Sequence, residues 1–127
     1  MADVNRGNRP LSPHLSVYRP QWTSVLSICH RITGVGLTLG AGLVVWWLLA
    51  AATSEDYFEL VDGILTSWIG HLVLLGLTWA LAFHFLNGIR HLWWDTGRGF
   101  DLDKVEMSGK IVVAGSLILT ALLWLVV

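Results

Sequence analysis

Charged side chains are missing from three long stretches of this chain. Ile32 to Ser54 is a run of 23 residues without Asp, Glu, Lys or Arg, Gly63 to Ile89 a run of 27, and Ile111 to Val127 a run of 17. A helix that crosses a bilayer needs about 20 apolar residues, within a range of roughly 17–25. The pattern therefore predicts an all-α membrane protein with three transmembrane helices, over about 29–51, 64–89 and 109–127. The polar segment 1–28 before them reads as an N-terminal arm lying on the membrane surface. All three prolines fall in this arm, and each biases the residue before it away from helix, so the arm is expected to be extended. Ser24 or Ser27 is expected to cap the first helix and Ser108 the third, with Trp22 at the interface. Gly36 and Gly40 form a G-x-x-x-G pair, a spacing that lets a neighbouring helix or a flat cofactor approach closely.

Composition agrees with this class. The chain has 127 residues, enough for one small domain, and is 54% hydrophobic and 13% charged, with a mean hydropathy of +0.62. Soluble domains carry roughly 25% charge. Tryptophan collects at the water–lipid boundary, and eight tryptophans are many for this length. The single cysteine, Cys29, excludes an internal disulfide and any multi-cysteine metal site. A net charge of −1 gives no reason to expect nucleic acid. The polar first 28 residues do not read as a cleavable signal. There is no internal repeat, phosphate loop, dinucleotide fingerprint or nucleophile motif.

Loop charge sets an expected direction. Arg6, Arg9, Arg19 and Arg31 precede or begin the first helix. The first loop, "TSEDYFELVDG", has four acids and no base, and the second carries Arg90, Arg98, Lys104 and Lys110. The positive-inside rule then puts the N-terminus and the second loop in the cytoplasm. The expected location is the bacterial inner membrane, with the matrix side of a mitochondrial inner membrane as the equivalent.

Ionisable groups inside a bilayer are costly and are candidates for function. His14, in the arm, reads as a surface residue, and His71 as a buried histidine bonded to a carbonyl. His84 is six residues short of Arg90, so about 9 Å below the interface at ~1.5 Å per residue. A neutral imidazole in an apolar bundle can ligate haem iron. His91 is seven residues further on, too high for the same iron, and is expected at the membrane surface. The opposite direction of the first two helices brings His30 and Arg31 level with Arg90 and His91, where guanidinium could hold haem propionates. Plain topology also puts arginine at that end, so the spacing alone leaves both readings open.

Three blocks in order, "RPLSPHLSVY", "SICHRITG" and "HFLNGIRHLWWD", resemble the cytochrome b-type membrane anchor of succinate dehydrogenase, the larger anchor subunit of respiratory complex II. The resemblance spans essentially the whole chain. It implies a haem b shared with a second membrane anchor subunit, with His84 as one axial ligand and the other from that partner. It implies His30, Arg31 and His91 near the propionates, and Ser27 and Arg31 lining a quinone pocket beside the iron–sulfur subunit. Succinate oxidation and electron delivery would belong to the flavoprotein and iron–sulfur subunits, with no catalytic residue here. From the residues themselves, Ser27 can bond a quinone carbonyl and Arg31 can offset charge developing on it. Two other readings are a haem-free structural anchor and a small transporter subunit using His71 and His84 for protons or metal. The latter predicts polar groups spread across the membrane, whereas here they gather at one side.

Overall fold

The computed structural model describes residue 14 and residues 17–126. Four helices follow one another: α1 (Trp22–Thr53), α2 (Glu55–Leu65), α3 (Trp68–Asp95) and α4 (Leu102–Val126). Helices α1, α3 and α4, with 32, 28 and 25 residues, are each long and apolar enough to cross a membrane. At ~1.5 Å per residue they extend about 48, 42 and 38 Å, beyond the ~30 Å of hydrocarbon. This explains why they run past the charge-free stretches. Charge marks where lipid ends, while the helix continues into the headgroup layer.

The capping expectations fail for the same reason. Ser24 and Ser27 sit inside α1, whose N-cap is Gln21 with no side-chain capping bond. Ser24 instead shares a 2.5 Å hydrogen bond with Tyr18 Oη, tying the end of the arm to the first turn of α1. Ser108 lies in the second turn of α4 rather than at its start. Of the arm, residues 1–13, 15 and 16 lie outside the described residues, with Arg6, Arg9 and much of the first quoted block.

The acidic first loop is a helix. Ser54 caps α2 by accepting from the Tyr57 amide at 3.3 Å, and Glu55 and Asp56 complement the positive end of the helix dipole. Two indoles of α1 hold it: Trp46 Nε1 donates to Tyr57 Oη at 2.8 Å, and Trp47 Nε1 to Asp62 Oδ1 at 3.0 Å. Val61 closes the contact, fully buried.

Small residues set the helix–helix distances. A Cβ on Gly40 would lie 2.8 Å from Leu77 Cδ2, so α1 and α3 pack closely there. Gly36 does not share this role, because a Cβ at that position would meet nothing within 4 Å. The second glycine at the α1–α3 seam is Gly34. At the other end of the seam's neighbour, Gly109 of α4 receives Trp22 and Leu26 of α1, and a Cβ there would be 2.5 Å from Leu26 Cδ1. The central cluster joins Leu26, Phe83 and Val112, with Cys29, Trp79, Leu86 and Val113 against it. Much of the remaining apolar surface faces outward, as Leu39, Leu81 and Leu122 do. Such a surface suits lipid or neighbouring transmembrane helices, where apolar exposure carries no cost.

Candidate functional site: an imidazole cluster at one end of the bundle

Helix α1 starts, α3 ends and α4 starts at the same end of the bundle. There the α1–α3 seam brings three histidines together. The His30 and His84 rings stack with centroids 3.8 Å apart and planes 10° apart. His91 tilts against His30 at 5.5 Å. The sequence reading grouped these residues, and the structure assembles them in one column running from half-buried His84 outward to exposed His91.

The His84 ring is fixed from one side. Its Nδ1 lies 3.1 Å from the backbone oxygen of His30 and 3.2 Å from Thr33 Oγ1. A carbonyl can only accept, so Nδ1 carries the proton in this contact. The Thr33 hydroxyl spends its own proton on the backbone oxygen of Cys29 or His30, each 2.9 Å away, and offers a lone pair to His84. With Nδ1 protonated, neutral imidazole keeps an unshared pair on Nε2, the form that ligates a metal. Among the described residues nothing hydrogen-bonds Nε2. It is also absent from the buried unpartnered polar atoms, which are His30 Nδ1, Trp79 Nε1 and Asn87 Nδ2. The His84 residue as a whole is half-buried. Gly34 makes room for the ring, since a Cβ there would lie 3.1 Å from His84 Cε1. Thr33 and Gly34 were not singled out in the sequence. A threonine in an apolar helix ordinarily bonds its own preceding turn, and nothing in the pattern showed which glycine faced the ring.

Arg90 departs from its expected place. It does not pair with His91 at the surface but turns into the bundle toward α4, leaving it only 6% exposed. Its Nε donates to Ser108 Oγ at 2.9 Å, one terminal nitrogen to Asn87 Oδ1 at 3.3 Å, and the other to the backbone oxygen of Val105 at 2.9 Å. Its guanidinium carbon lies 4.1 Å from the centre of the Trp94 ring. Trp94 also meets His91 edge-on at 5.3 Å. Ser108 thus serves as an arginine acceptor where a helix cap was expected.

Ser27 and Arg31 fall one turn apart on α1, and an i, i+4 pair shares a helix face. Ser27 is half-buried and Arg31 exposed. Among the described residues the Arg31 guanidinium has neither a hydrogen bond nor an ion pair. The ion pairs there are Lys104–Asp101 and Lys110–Glu106, both on the surface. His71 does bond a carbonyl, with Nδ1 3.0 Å from the Ser67 backbone oxygen, but it is exposed rather than buried. It sits at the far end of the bundle from the cluster, edge-on to Trp124 at 6.1 Å. His14 is exposed in the arm. No group of three His, Cys, Asp or Glu side chains among the described residues is arranged to hold a metal ion.

The family model for the succinate dehydrogenase/fumarate reductase transmembrane subunit matches residues 5–123. The chain is 48% identical over 122 residues to the succinate dehydrogenase cytochrome b556 subunit of Paracoccus denitrificans, covering 96% of this chain and 94% of that one. It is 42% identical over 116 residues to the subunit of the same name from Rickettsia conorii, covering 91% and 90%. It is 40% identical over 117 residues to the mitochondrial succinate dehydrogenase cytochrome b560 subunit of Sus scrofa, covering 91% and 67%. Such likeness along nearly the whole length, together with three helices able to span a membrane, settles the assignment. The chain belongs to the succinate dehydrogenase/fumarate reductase transmembrane subunit family, as a membrane-anchor subunit of succinate dehydrogenase and not its catalytic subunit.

Proposed function

We propose that this chain binds one haem b through His84 and helps to form a site where quinone is reduced. The observation that carries this reading is the state of the His84 ring: Nδ1 donates to the His30 carbonyl at 3.1 Å, which leaves the lone pair on Nε2. The relatives' names, cytochrome b556 and cytochrome b560 subunit, point the same way. Haem, once bound, supplies a one-electron acceptor within the bilayer. His30 holds the ligand ring by its carbonyl and by stacking at 3.8 Å. His30, stacked on the ligand ring, would orient it rather than bind the iron itself, and a further ligand would be supplied by a partner chain. A second membrane anchor subunit is the natural donor. Arg31, which has no ion pair among the described residues, and the outer rings His30 and His91 provide the polar surroundings for propionates at the membrane surface.

For quinone, Ser27 donates its hydroxyl to a carbonyl oxygen. Arg31, on the same face, offsets the negative charge that gathers on that oxygen before protonation. Electrons reach this end of the bundle from an iron–sulfur subunit docked there, which in turn receives them from the flavoprotein subunit that oxidises succinate. The four–zero–four distribution of Lys and Arg orients this end toward the cytoplasm of a bacterial inner membrane. A reporter fused after Val127 should then be active only on the non-cytoplasmic side.

The visible spectrum of the assembled complex tests the ligand. His84→Leu should remove or strongly perturb the low-spin b-type bands, while His91→Leu should leave them largely intact. An unchanged low-spin spectrum in the His84→Leu complex would refute the assignment.

A further inference from the structure

Among the described residues, buried Arg90 has no acidic partner. Its three hydrogen bonds go to a hydroxyl, an amide oxygen and a backbone carbonyl, all neutral acceptors. Guanidinium does not deprotonate in proteins, so the bundle keeps a full positive charge inside it. At 6% exposure, little of that charge is open to water or to a carboxylate from outside. The stacked Trp94 ring covers one face. A purely structural staple between α3 and α4 would not need a charge, and leaving one unpaired in a membrane-embedded bundle is costly.

Arg90 lies six residues beyond His84 on the same helix, about 9 Å along its axis. We propose that Arg90 is a positioning residue in the electrostatic sense: its uncompensated charge favours the reduced form of the redox group held at His84. Ferric haem gains one electron and loses one unit of positive charge on reduction. A fixed cation nearby opposes the oxidised form and helps the reduced one. Coulomb's law at an effective dielectric of ~20 and about 10 Å gives on the order of tenfold in that equilibrium. The inference rests on the haem reading above.

Asn87 supplies the cleanest test. Its Oδ1 accepts from Arg90, while its buried Nδ2 has no partner. Asn87→Asp therefore keeps the bond to Arg90, loses no other, and places a carboxylate against the guanidinium. The readout is the midpoint potential of the b haem in the purified, assembled complex, titrated with soluble mediators. Asn87→Asp should lower it by about 59 mV, the equivalent of tenfold for a one-electron couple. Arg90→Gln should lower it similarly. Arg90→Lys, which keeps charge but loses the planar fork, should hold the potential near that of the parent complex while reducing thermal stability. If Arg90→Gln does not assemble, Arg90→Met carries the neutral arm, read against Arg90→Lys. An Asn87→Asp complex with an unshifted potential, or an Arg90→Lys complex that falls as far as Arg90→Gln, overturns the proposal. A parent complex with no b-type spectrum overturns the haem reading and this inference together, so the two failures are distinguishable.

Discussion

Thr33→Val isolates the support that Thr33 gives to the proposed haem ligand. The Nδ1–H of His84 has two acceptors, the His30 carbonyl at 3.1 Å and Thr33 Oγ1 at 3.2 Å. Valine keeps the branched shape at a position only 5% exposed and deletes the second acceptor. The hydroxyl's own bond to Cys29 or His30 is local to α1, and its loss leaves those carbonyls in their helical bonds. Removing a group that orients a metal ligand typically weakens metal binding about 10–100-fold. The surviving bond to His30 keeps the proton on Nδ1, so the effect should lie at the lower end, about tenfold or ~1.4 kcal/mol. That is within the ~0.5–1.5 kcal/mol of one neutral hydrogen bond. The assay is haem transfer from the purified complex to excess apomyoglobin, followed by the Soret band. Thr33→Val should give up haem about tenfold more readily, and Thr33→Ser, which keeps the hydroxyl, should behave as the parent. If Thr33→Val holds haem as tightly as both, the hydroxyl does not support the ligand and the tautomer argument rests on the His30 carbonyl alone.

Ser108→Ala should destabilise the chain by about 1.5–3 kcal/mol, because it strips an acceptor from the buried Arg90 cation. Ser116→Ala, which loses only a local bond to the Val113 carbonyl at a fully buried site, should cost far less. Equal effects in unfolding titrations of the full chain in mixed micelles would contradict this role for Ser108. Arg31→Leu should slow succinate-dependent quinone reduction by ~10²–10³, the usual loss for one donor to a developing oxyanion. Electron transfer to a soluble acceptor that draws upstream of the membrane should persist. Ser27→Ala should show the same split, since Ser27 lies inside α1 and does not cap it. A parallel fall of both activities would assign these residues to assembly.

The spans and the histidine cluster were legible because charge inside a bilayer is expensive. Its absence marked three helices, His84 stood out inside one of them, and the antiparallel run of the first two helices brought His30 and His91 to the same end. What could not be read depends on rotation and on neighbours. Helix α2 was hidden because its four acids look like a loop, while the indoles of Trp46 and Trp47 that hold it come from another helix. Gly34 rather than Gly36 faces α3, a difference of two residues that turns a helix by about 200°. Arg90 matched the ordinary pattern of arginine at an inner helix end. Only Val105 and Ser108, 15 and 18 residues away on α4, make it internal. The polar pair Asn87 and Ser108, flanking it in two apolar helices, was the available signal.

The central claim is that His84 Nε2 binds iron, and replacing the side chain by its own free ring tests it most directly. In a complex carrying His84→Gly, the low-spin b-type spectrum should be lost. Millimolar imidazole should restore it, because the small ring can occupy the space that Gly34 and Thr33 leave for the native one. A His84→Gly complex that keeps its low-spin spectrum without imidazole would contradict the account.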